Sequence, residues 1–297
     1  MHKFIQRVIQ KELGESVLSI REINGLGSVN QVFDVEGSTA NYIIRLNEDP
    51  AKQVEYQKEK WCLDKLKTVN VPAPVILAMG MFDKVLFMIQ EKIPGINGAY
   101  CKPKEKLEIW KQLGQYARKY QHIFQIEDEQ VGAAEFHDNW KARLIYNINK
   151  LAVADSLLKN GVFNKNQQQI VRIALENLKS KTYKVGLVHG DLSLRNCIWN
   201  DGQVYLLDWG TAEINVVPHN EIGILQMSDE ASEEEIYRFL KGLGLSRADY
   251  NEIKAEINVL NLLHRLDKYR WAVDHNIRDI KNYEDRIKKA FRNLNPL

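Results

Sequence analysis

Residues 187–210 read LVHGDLSLRNCIWNDGQVYLLDWG, and three oxygen-bearing side chains interrupt the apolar runs of this segment. Asp191 and Asn196 are five residues apart, and Asp208 follows Asp191 by seventeen. The Asn-Asp-Gly sequence at 200–202 is a hairpin signal, and a hairpin would bring Asn196 and Asp208 together at its open end. Hard divalent cations prefer oxygen ligands of this kind. The spacing of the three together predicts a metal site, although each residue taken singly is more typical of a turn or a helix cap.

The order of these residues is His-Gly-Asp, four residues, Asn, and later Asp-Trp. This pattern resembles the catalytic and metal-binding loops of the aminoglycoside phosphotransferase and choline kinase-like family, and protein kinases carry a related H-R-D loop and D-F-G segment. The resemblance implies that Asp191 is the catalytic base for the substrate hydroxyl, and that Asn196 and Asp208 hold Mg²⁺. We interpret His189 as a structural residue that bonds the loop backbone, with direct proton transfer as the alternative.

A glycine-containing stretch lies near the N-terminus, where residues 25–30 read GLGSVN. Gly25, Gly27 and Ser28 could cover nucleotide phosphates through their backbone N–H groups. The third glycine of a G-x-G-x-x-G pattern is missing, so a plain hairpin fits equally well. On the next predicted strand, Arg45 stands where the resemblance implies a cation that pairs with the phosphates, and its guanidinium offers a bidentate fork.

A helix carboxylate should pair with that cation. The predicted helix 50–68 contains Glu55 and Glu59, and on a helical wheel both fall inside its broad apolar arc. A carboxylate within an apolar face requires a partner, but periodicity leaves both glutamates open. The resemblance selects Glu59, because EKWCLDKL from residue 59 matches the family's E-x-x-x-L-x-x-L run.

The segment FMIQEKIPG resembles the hinge between the two lobes of the family, whose backbone groups contact the adenine edge. By this resemblance Gln90 is the gatekeeper, and Glu91 and Ile93 offer main-chain contacts to ATP or GTP. An ordinary edge strand would explain the apolar residues equally well, but not the position of Pro94-Gly95.

Alternation over residues 17–46 predicts three antiparallel strands, and one more strand should end at Pro94-Gly95. Asp49 and Pro50 signal a helix start, and the first residues form an amphipathic helical pattern. Helical periodicity dominates the rest of the chain, at 104–125, 138–159, 164–180, 229–243 and 248–292. We therefore predict an α+β, bilobal, protein-kinase-like fold, with a nucleotide-binding lobe at 1–93 and a catalytic and acceptor-binding lobe at 94–297.

The chain has 41 basic and 39 acidic side chains, so its net charge of +2 provides no general field for nucleic acid or an anionic membrane. No apolar run approaches the ~18 residues that span a bilayer. Three widely separated cysteines favour a reduced, cytoplasmic setting. We expect neither nucleic acid nor membrane as a partner, and the sequence leaves monomer and dimer open.

The resemblance implies a nucleotide- and Mg²⁺-dependent O-phosphotransferase whose acceptor is a hydroxyl of a small molecule, first of all an aminoglycoside. Choline, sugar, homoserine and macrolide acceptors are alternatives, as is a nucleotide-binding pseudokinase. Acidic residues that could bind a cationic acceptor are Glu213, Glu221, the run 228–235, Asp267, Asp274 and Asp279. Within the run, Ser232 and Glu235 also form a capping-box pattern, which competes with substrate binding as an explanation. The family's Pro-x-x-Asp after the metal loop is here Pro218-His219-Asn220-Glu221.

Overall fold

The computed structural model describes residues 1–23, 30–123, 139–153, 155–227 and 231–294. These residues form two compact units. The first unit holds residues 1–109 and 193–212, and the second holds the other described residues. This grouping differs from the division after residue 93 that the sequence suggests, because two later segments join the N-terminal residues.

Most strands belong to the first unit and most helices to the second, as the α+β prediction requires. The described strands are β1 (Val17–Glu22), β2 (Gln31–Gly37), β3 (Asn41–Asn47), β4 (Ile76–Phe82), β5 (Val85–Glu91), β6 (Ile96–Asn97), β7 (Val185–Val188), β8 (Cys197–Asn200), β9 (Gln203–Leu206) and β10 (Glu213–Val216). The described α-helices are α1 (His2–Leu13), α2 (Gln53–Thr68), α3 (Pro103–Tyr120), α4 (Asn139–Leu151), α5 (Ser156–Lys159), α6 (Lys165–Lys179), α7 (His219–Met227), α8 (Glu233–Leu243), α9 (Arg247–Asp274) and α10 (Ile280–Arg292).

The first unit is built on an antiparallel sheet of order β1-β2-β3-β5-β4. Strand β4 is absent from the sequence prediction, which treated the segment after Pro72 and Pro74 as a break. The turn from β4 to β5 consists of Asp83 and Lys84, and both take positive φ, at 45° and 68°. Because a turn of this kind usually contains glycine, its sequence gave no hairpin signal.

Helix α1 covers one face of this sheet. Its apolar stripe, Ile5, Val8 and Ile9, is fully buried and belongs to one core cluster with residues of β2, β3 and β5, among them Phe33, Ile44 and Ile89. Helix α2 begins as its start signals predict, since Asp49 Oδ1 accepts a hydrogen bond from the Ala51 N–H at 3.0 Å and Pro50 opens a 3₁₀ turn before Gln53.

The first unit also contains a three-stranded sheet of order β6-β8-β9. Because β6 lies in the segment 94–109 and β8 and β9 lie in the segment 193–212, this sheet links the two segments. Ile96 pairs with Trp199, and the Leu206 N–H donates to the Pro72 carbonyl at 2.9 Å. Gly95 shows how closely the chains approach here, because its φ is 129° and a Cβ at this position would lie 2.3 Å from the Trp199 carbonyl oxygen.

The second unit packs its helices around an apolar core. Trp140, Leu144, Val171, Leu262 and Ile287, from α4, α6, α9 and α10, lie in this core and are nearly or fully buried. Strands β7 and β10 form an antiparallel pair with Glu213 opposite Val188. The segment 193–212 thus leaves the second unit after β7 and returns to it at β10.

The C-terminal helices differ in two places from the sequence prediction. The helix expected over 248–292 is two helices, because the chain turns at Asn276, whose φ is 52°. Helix α7 was not predicted because buried residues occur all around it, so it shows no polar face. Among the described residues, no helix is long and apolar enough to cross a membrane.

Candidate active site

Arg45 of β3 and Glu59 of α2 form a buried ion pair in the first unit. Arg45 Nη1 lies 2.7 Å from each carboxylate oxygen of Glu59, and the two side chains are 12% and 1% exposed. Glu55, the other glutamate that periodicity allowed, pairs instead with Lys52 at 2.6 Å and is 42% exposed. The structure therefore places Glu59, and not Glu55, beside the strand cation.

Burial raises the pKa of Glu59, and the Arg45 guanidinium opposes this shift. Burial also disfavours the Arg45 charge, but Glu59 and Asp208 together raise the pKa of Arg45 above its ordinary value. Gln90 Nε2 lies 3.5 Å from Glu59 Oε1, so the predicted gatekeeper contacts the same carboxylate. The result is a fixed cation on β3, held by a carboxylate from α2.

The predicted hairpin exists as β8 and β9. Its two-residue turn is Asp201-Gly202, with φ of 46° and 86°, and Asn200 pairs with Gln203. At the open end the Leu207 N–H donates to the Asn196 carbonyl at 2.9 Å. Asn196 therefore lies across from the residue that precedes Asp208, as the sequence predicted.

Asp208 stands at a bend that directs its carboxylate toward Arg45. Its φ and ψ are 57° and 70°, in the left-handed region that non-glycine residues rarely occupy. Its side chain is 53% exposed, and Oδ1 lies 3.8 Å from Arg45 Nη2. The next residue, Trp209, is fully buried. Backbone strain of this kind is concentrated at functional sites in proteins.

The residues predicted to form the hinge lie at the end of β5 and just after it. Glu91 makes two hydrogen bonds to the main chain of Val75. Its N–H donates to the Val75 carbonyl, and its carboxylate accepts from the Val75 N–H at 3.1 Å. In the described part of the chain, the Ile93 N–H has no acceptor. Ile93 is half-buried, so this donor could meet a planar base. The predicted phosphate-covering residues Gly25, Gly27 and Ser28 lie outside the described residues.

Asp191 belongs to the second unit and follows a turn made by Gly190, whose φ is 80°. The Asp191 N–H donates to Nδ1 of His189 at 3.3 Å, and the His189 ring is fully buried. This contact is of the kind expected of a histidine that bonds the loop backbone. How Asp191 lies relative to Asn196 and Asp208 stays a prediction from the sequence, because those two residues belong to the first unit.

Glu221 of α7 supports the loop that carries Asp191, a role that the sequence analysis missed. Its Oε1 accepts hydrogen bonds from the His189 N–H at 2.5 Å and from the Tyr120 hydroxyl at 2.8 Å. These partners are 32 and 101 residues away along the chain. The available signal was Pro218-x-x-Glu221, which occupies the place of the family's Pro-x-x-Asp.

Burial raises the pKa of Glu221 to about 7, against the opposing effect of its two hydrogen bonds. Among the described residues, Oε2 of Glu221 has no hydrogen-bond partner, which favours the neutral acid. A folded-state pKa of about 7 against an ordinary 4.5 means that the folded protein binds more protons between these values. The contribution of this group to the free energy of unfolding is therefore fully present below about pH 4.5 and is lost as the pH rises through about 7.

We expect Glu221→Gln to remove the loss of stability that the wild type shows as the pH rises through about 7. Between pH 5 and pH 8 the free energy of unfolding of the wild type should fall by about 2.5 kcal/mol more than that of the variant. Denaturant unfolding at both pH values measures the difference, with Glu252→Gln, an exposed carboxylate on α9, as the control. A difference between wild type and Glu221→Gln that does not change with pH would show that Glu221 is ionised throughout.

Glu213, Asp267 and Glu235, which the sequence also offered for a cationic acceptor, have protein partners. Glu213 pairs with Arg143 at 3.2 Å, and Asp267 accepts from Asn147 Nδ2 at 2.6 Å. Ser232 and Glu235 make both hydrogen bonds of a capping box at the start of α8. Residues 228–230 of the acidic run lie outside the described residues.

Three solved structures share this fold at low sequence identity. The GDP and kanamycin complex of APH(2'')-IIia is 17% identical with a TM-score of 0.71, covering 98% of this chain and 99% of that one. A thermostable mutant of aminoglycoside phosphotransferase APH(4)-Ia with ADP and hygromycin B is 14% identical with a TM-score of 0.68, covering 97% and 98%. A protein from Haemophilus somnus 129PT, whose name proposes a fructosamine-3-kinase, is 16% identical with a TM-score of 0.63, covering 99% and 97%. These similarities confirm the predicted protein-kinase-like fold.

Sequence comparisons match this chain to one curated relative and to one family model. KEOPS complex subunit Bud32 of Pyrococcus abyssi is 34% identical over 77 residues, which are 26% of this chain. The match spans only 35% of the length of that curated relative. A family model described as phosphotransferase enzyme family, APH, matches residues 19–255. Because that match covers most of the chain, the protein belongs to the APH phosphotransferase enzyme family.

Proposed function

We propose that the protein is a nucleotide- and Mg²⁺-dependent O-phosphotransferase that moves the γ-phosphate of ATP or GTP to a hydroxyl of a small molecule. The observation that carries this proposal is the cluster of Arg45, Glu59 and Asp208 in the first unit. It combines a buried, paired cation with an exposed carboxylate 3.8 Å away. A cation and a metal-binding carboxylate side by side are what a nucleotide triphosphate requires.

In the proposed reaction, the oxygen of the acceptor hydroxyl forms a bond to the γ-phosphorus. The bond from that phosphorus to the β–γ bridging oxygen breaks, and the nucleoside diphosphate leaves. The hydroxyl proton passes to the carboxylate of Asp191. Positioning and charge neutralisation contribute more than proton transfer here, because the transition state is loose and the proton is lost late.

Asn196 and Asp208 fit a magnesium site by the chemistry of their side chains, since both offer oxygen ligands and the hairpin brings them together. In the described part of the chain, no three His, Cys, Asp or Glu side chains group closely enough to hold a metal. Phosphate oxygens of the nucleotide would supply the missing ligands, as is usual for Mg²⁺. A bound Mg²⁺ would neutralise charge on the phosphates.

For the nucleotide base, we propose the main chain of Glu91 and Ile93 as the contact and Gln90 as the gatekeeper. The half-buried Ile93 N–H supports this role, because a donor without an acceptor can meet a ring nitrogen. Gly25, Gly27 and Ser28 remain candidates for covering the phosphates. The solved relatives bind GDP in one case and ADP in another, so both ATP and GTP are candidate donors.

The acceptor class is open at this stage. Kanamycin and hygromycin B in the related structures support an aminoglycoside, whereas the fructosamine-3-kinase name supports a sugar derivative. A pseudokinase is the alternative from another class, but Asp191, Asn196 and Asp208 are all present, which favours turnover. The three free, buried cysteines support a reducing, cytoplasmic location.

Asp208→Ala is expected to weaken Mg²⁺-dependent nucleotide binding about tenfold or more, which is about 1.4 kcal/mol. The variant loses one of the two proposed oxygen ligands and a neighbour of Arg45. Calorimetric titration of ATP and GTP with and without Mg²⁺ measures the effect, with Asp64→Ala on the exposed side of α2 as the control. The same dependence on Mg²⁺ in wild type and variant would refute the ligand role of Asp208.

A further inference from the structure

Asn97 and Gly98 follow the segment predicted to form the hinge, and they contact the 3₁₀ turn that carries Asn196. In β6, Asn97 stands opposite Ile198 of β8. Ile93, the residue proposed to meet the nucleotide base, precedes Asn97 by four positions. All of these residues belong to the first unit. One short segment therefore connects the proposed contact for the base with a proposed ligand of the metal.

The side chain of Asn97 holds the carbonyl group that precedes Asn196. Its Nδ2 donates to the Arg195 carbonyl at 2.7 Å, and its Oδ1 accepts from the Ala99 N–H at 3.1 Å. These two bonds leave one orientation for the amide, because a flipped amide would set its oxygen against the Arg195 carbonyl oxygen. Asn97 and Arg195 are 98 residues apart in the sequence, so the contact depends on the folded chain.

Gly98 allows the close approach between this segment and the turn that carries Asn196. A Cβ at position 98 would lie 2.6 Å from Cys197 Sγ and 2.7 Å from the Leu194 carbonyl oxygen. Gly98 is buried and does not take a positive φ, so glycine is needed here for space and not for an unusual backbone angle. A larger side chain at position 98 must push the two segments apart.

Three hydrogen bonds to the main chain fix the direction of the Asn196 side chain. The peptide before Asn196 is held at both edges, because Asn97 binds its carbonyl oxygen and its N–H donates to the Ser193 carbonyl at 3.1 Å. The peptide after Asn196 is held by the Leu207 N–H, which donates to the Asn196 carbonyl at 2.9 Å. Because peptide groups are planar, two fixed planes set the direction in which the side chain leaves the backbone.

We propose that Asn97 is a positioning residue for the magnesium site, where it orients Asn196 so that the side-chain oxygen of Asn196 meets the metal. The inference rests on the proposed phosphotransferase function and adds a residue to its machinery. Groups that orient a metal ligand without touching the metal help to determine metal affinity. Ser193 and Leu207 lie in the same segment as Asn196, whereas Asn97 comes from the segment after the hinge. Asn97 therefore links the proposed site of the nucleotide base to that of the metal.

Asn97→Ser removes the contact with the Arg195 carbonyl. Serine can still accept from the Ala99 N–H, but its side chain is too short to reach Arg195. Calorimetric titration of the full chain with ATP and with GTP, each with and without Mg²⁺, measures the effect. We expect the gain in affinity that Mg²⁺ produces to fall about fivefold, the effect of losing one hydrogen bond, while affinity without Mg²⁺ stays unchanged. A merely structural role would lower both affinities alike.

Asp49→Ala is the matched control, because it removes the same kind of contact elsewhere in the first unit. Asp49 Oδ1 accepts from the Ala51 N–H at 3.0 Å, two residues ahead, as Asn97 Oδ1 accepts from the Ala99 N–H. This variant should leave the dependence of nucleotide affinity on Mg²⁺ unchanged.

Gly98→Ala tests the same contact from its other side, because it keeps the Asn97 side chain but crowds the turn that carries Asn196. We expect the gain from Mg²⁺ to fall by about fivefold or more. Gly80→Ala on β4 is the control, since a Cβ there would lie 3.4 Å from the Phe87 ring, an ordinary contact distance. Denaturant unfolding of each variant checks that it is folded.

Amide hydrogen exchange gives a readout that needs neither metal nor nucleotide. The Leu207 N–H, which donates to the Asn196 carbonyl, should exchange faster in Asn97→Ser than in the wild type. In Asp49→Ala it should exchange at the wild-type rate.

Wild-type dependence on Mg²⁺ in folded Asn97→Ser and Gly98→Ala would overturn the role of Asn97, as would an unchanged exchange rate of the Leu207 N–H in Asn97→Ser. The phosphotransferase function would then stand, because the wild type would still bind nucleotide with Mg²⁺. If the wild type binds no nucleotide, the phosphotransferase function is wrong, and the inference about Asn97 falls with it.

Discussion

Replacing Asp191 by alanine is expected to lower kcat for phosphoryl transfer by roughly 10²–10⁴-fold, the usual contribution of a positioned general base. Affinity for the nucleotide should change little, because the residues proposed to bind it belong to the other unit. Steady-state kinetics together with calorimetric titration of ATP or GTP measure the two effects separately. An acceptor from the panel of sugars, aminoglycosides, choline, homoserine and macrolides is needed for the kinetics.

Glu252→Ala removes an exposed carboxylate on α9 and serves as the control for loss of charge in the same unit. It should leave both kcat and nucleotide affinity unchanged. Unaltered turnover in Asp191→Ala would exclude Asp191 as the base. A loss of nucleotide binding equal to the loss of turnover would instead indicate that the substitution disturbs the fold.

Glu59→Gln is expected to lower the free energy of unfolding by roughly 3–5 kcal/mol, the usual effect of removing one partner of a buried ion pair. The variant keeps the shape of the side chain but leaves the Arg45 guanidinium, 12% exposed, without its buried countercharge. Chemical denaturation measures the change. Glu55→Gln, four residues earlier on the same helix, is the matched control, because its carboxylate is 42% exposed and should contribute little.

The double variant Arg45→Met/Glu59→Leu tests the cause of that loss. Replacing a whole buried ion pair by apolar residues is often close to neutral, so the double variant should recover most of the stability that Glu59→Gln loses. It should nevertheless bind nucleotide poorly, because the proposed phosphate cation is gone. Equal stability of wild type and Glu59→Gln would show that the pair is not energetically coupled to folding.

Local signals predicted those parts of the fold that depend on neighbouring residues. Asp49-Pro50 marked the start of α2, and Asp201-Gly202 marked the turn between β8 and β9, because caps and tight turns restrict a few adjacent backbone angles. Strand β4 and helix α7 were missed for the opposite reason. Their residues owe their conformation to tertiary burial, which a window of sequence does not contain.

In the candidate site, too, the features that depend on neighbouring residues were predictable, and those that depend on distant residues were not. The hairpin register follows from the sequence of its turn, so the neighbourhood of Asn196 and Asp208 was predictable. The choice between Glu55 and Glu59 was not settled by periodicity, because both lie in the apolar arc of α2, and it needed the position of β3. Glu221 could not be assigned from pattern alone, since its two donors, His189 and Tyr120, are distant along the chain.

The length of the two-residue turn at Asp201-Gly202 sets how Asn196 and Asp208, the two proposed metal ligands, lie relative to each other. Antiparallel pairing from Asn200 opposite Gln203 down to Cys197 opposite Leu206 sets which residue faces Asn196. One residue inserted in or deleted from this turn would slip the ladder by one position, a shift of about 3.4 Å that also reverses the side each side chain faces. The residue across from Asn196 would then change, and the side chains of one strand would face the opposite side, although Asn196 and Asp208 would both still be present. A length change at this distant turn could therefore inactivate the protein while the full catalytic signature remained in its sequence.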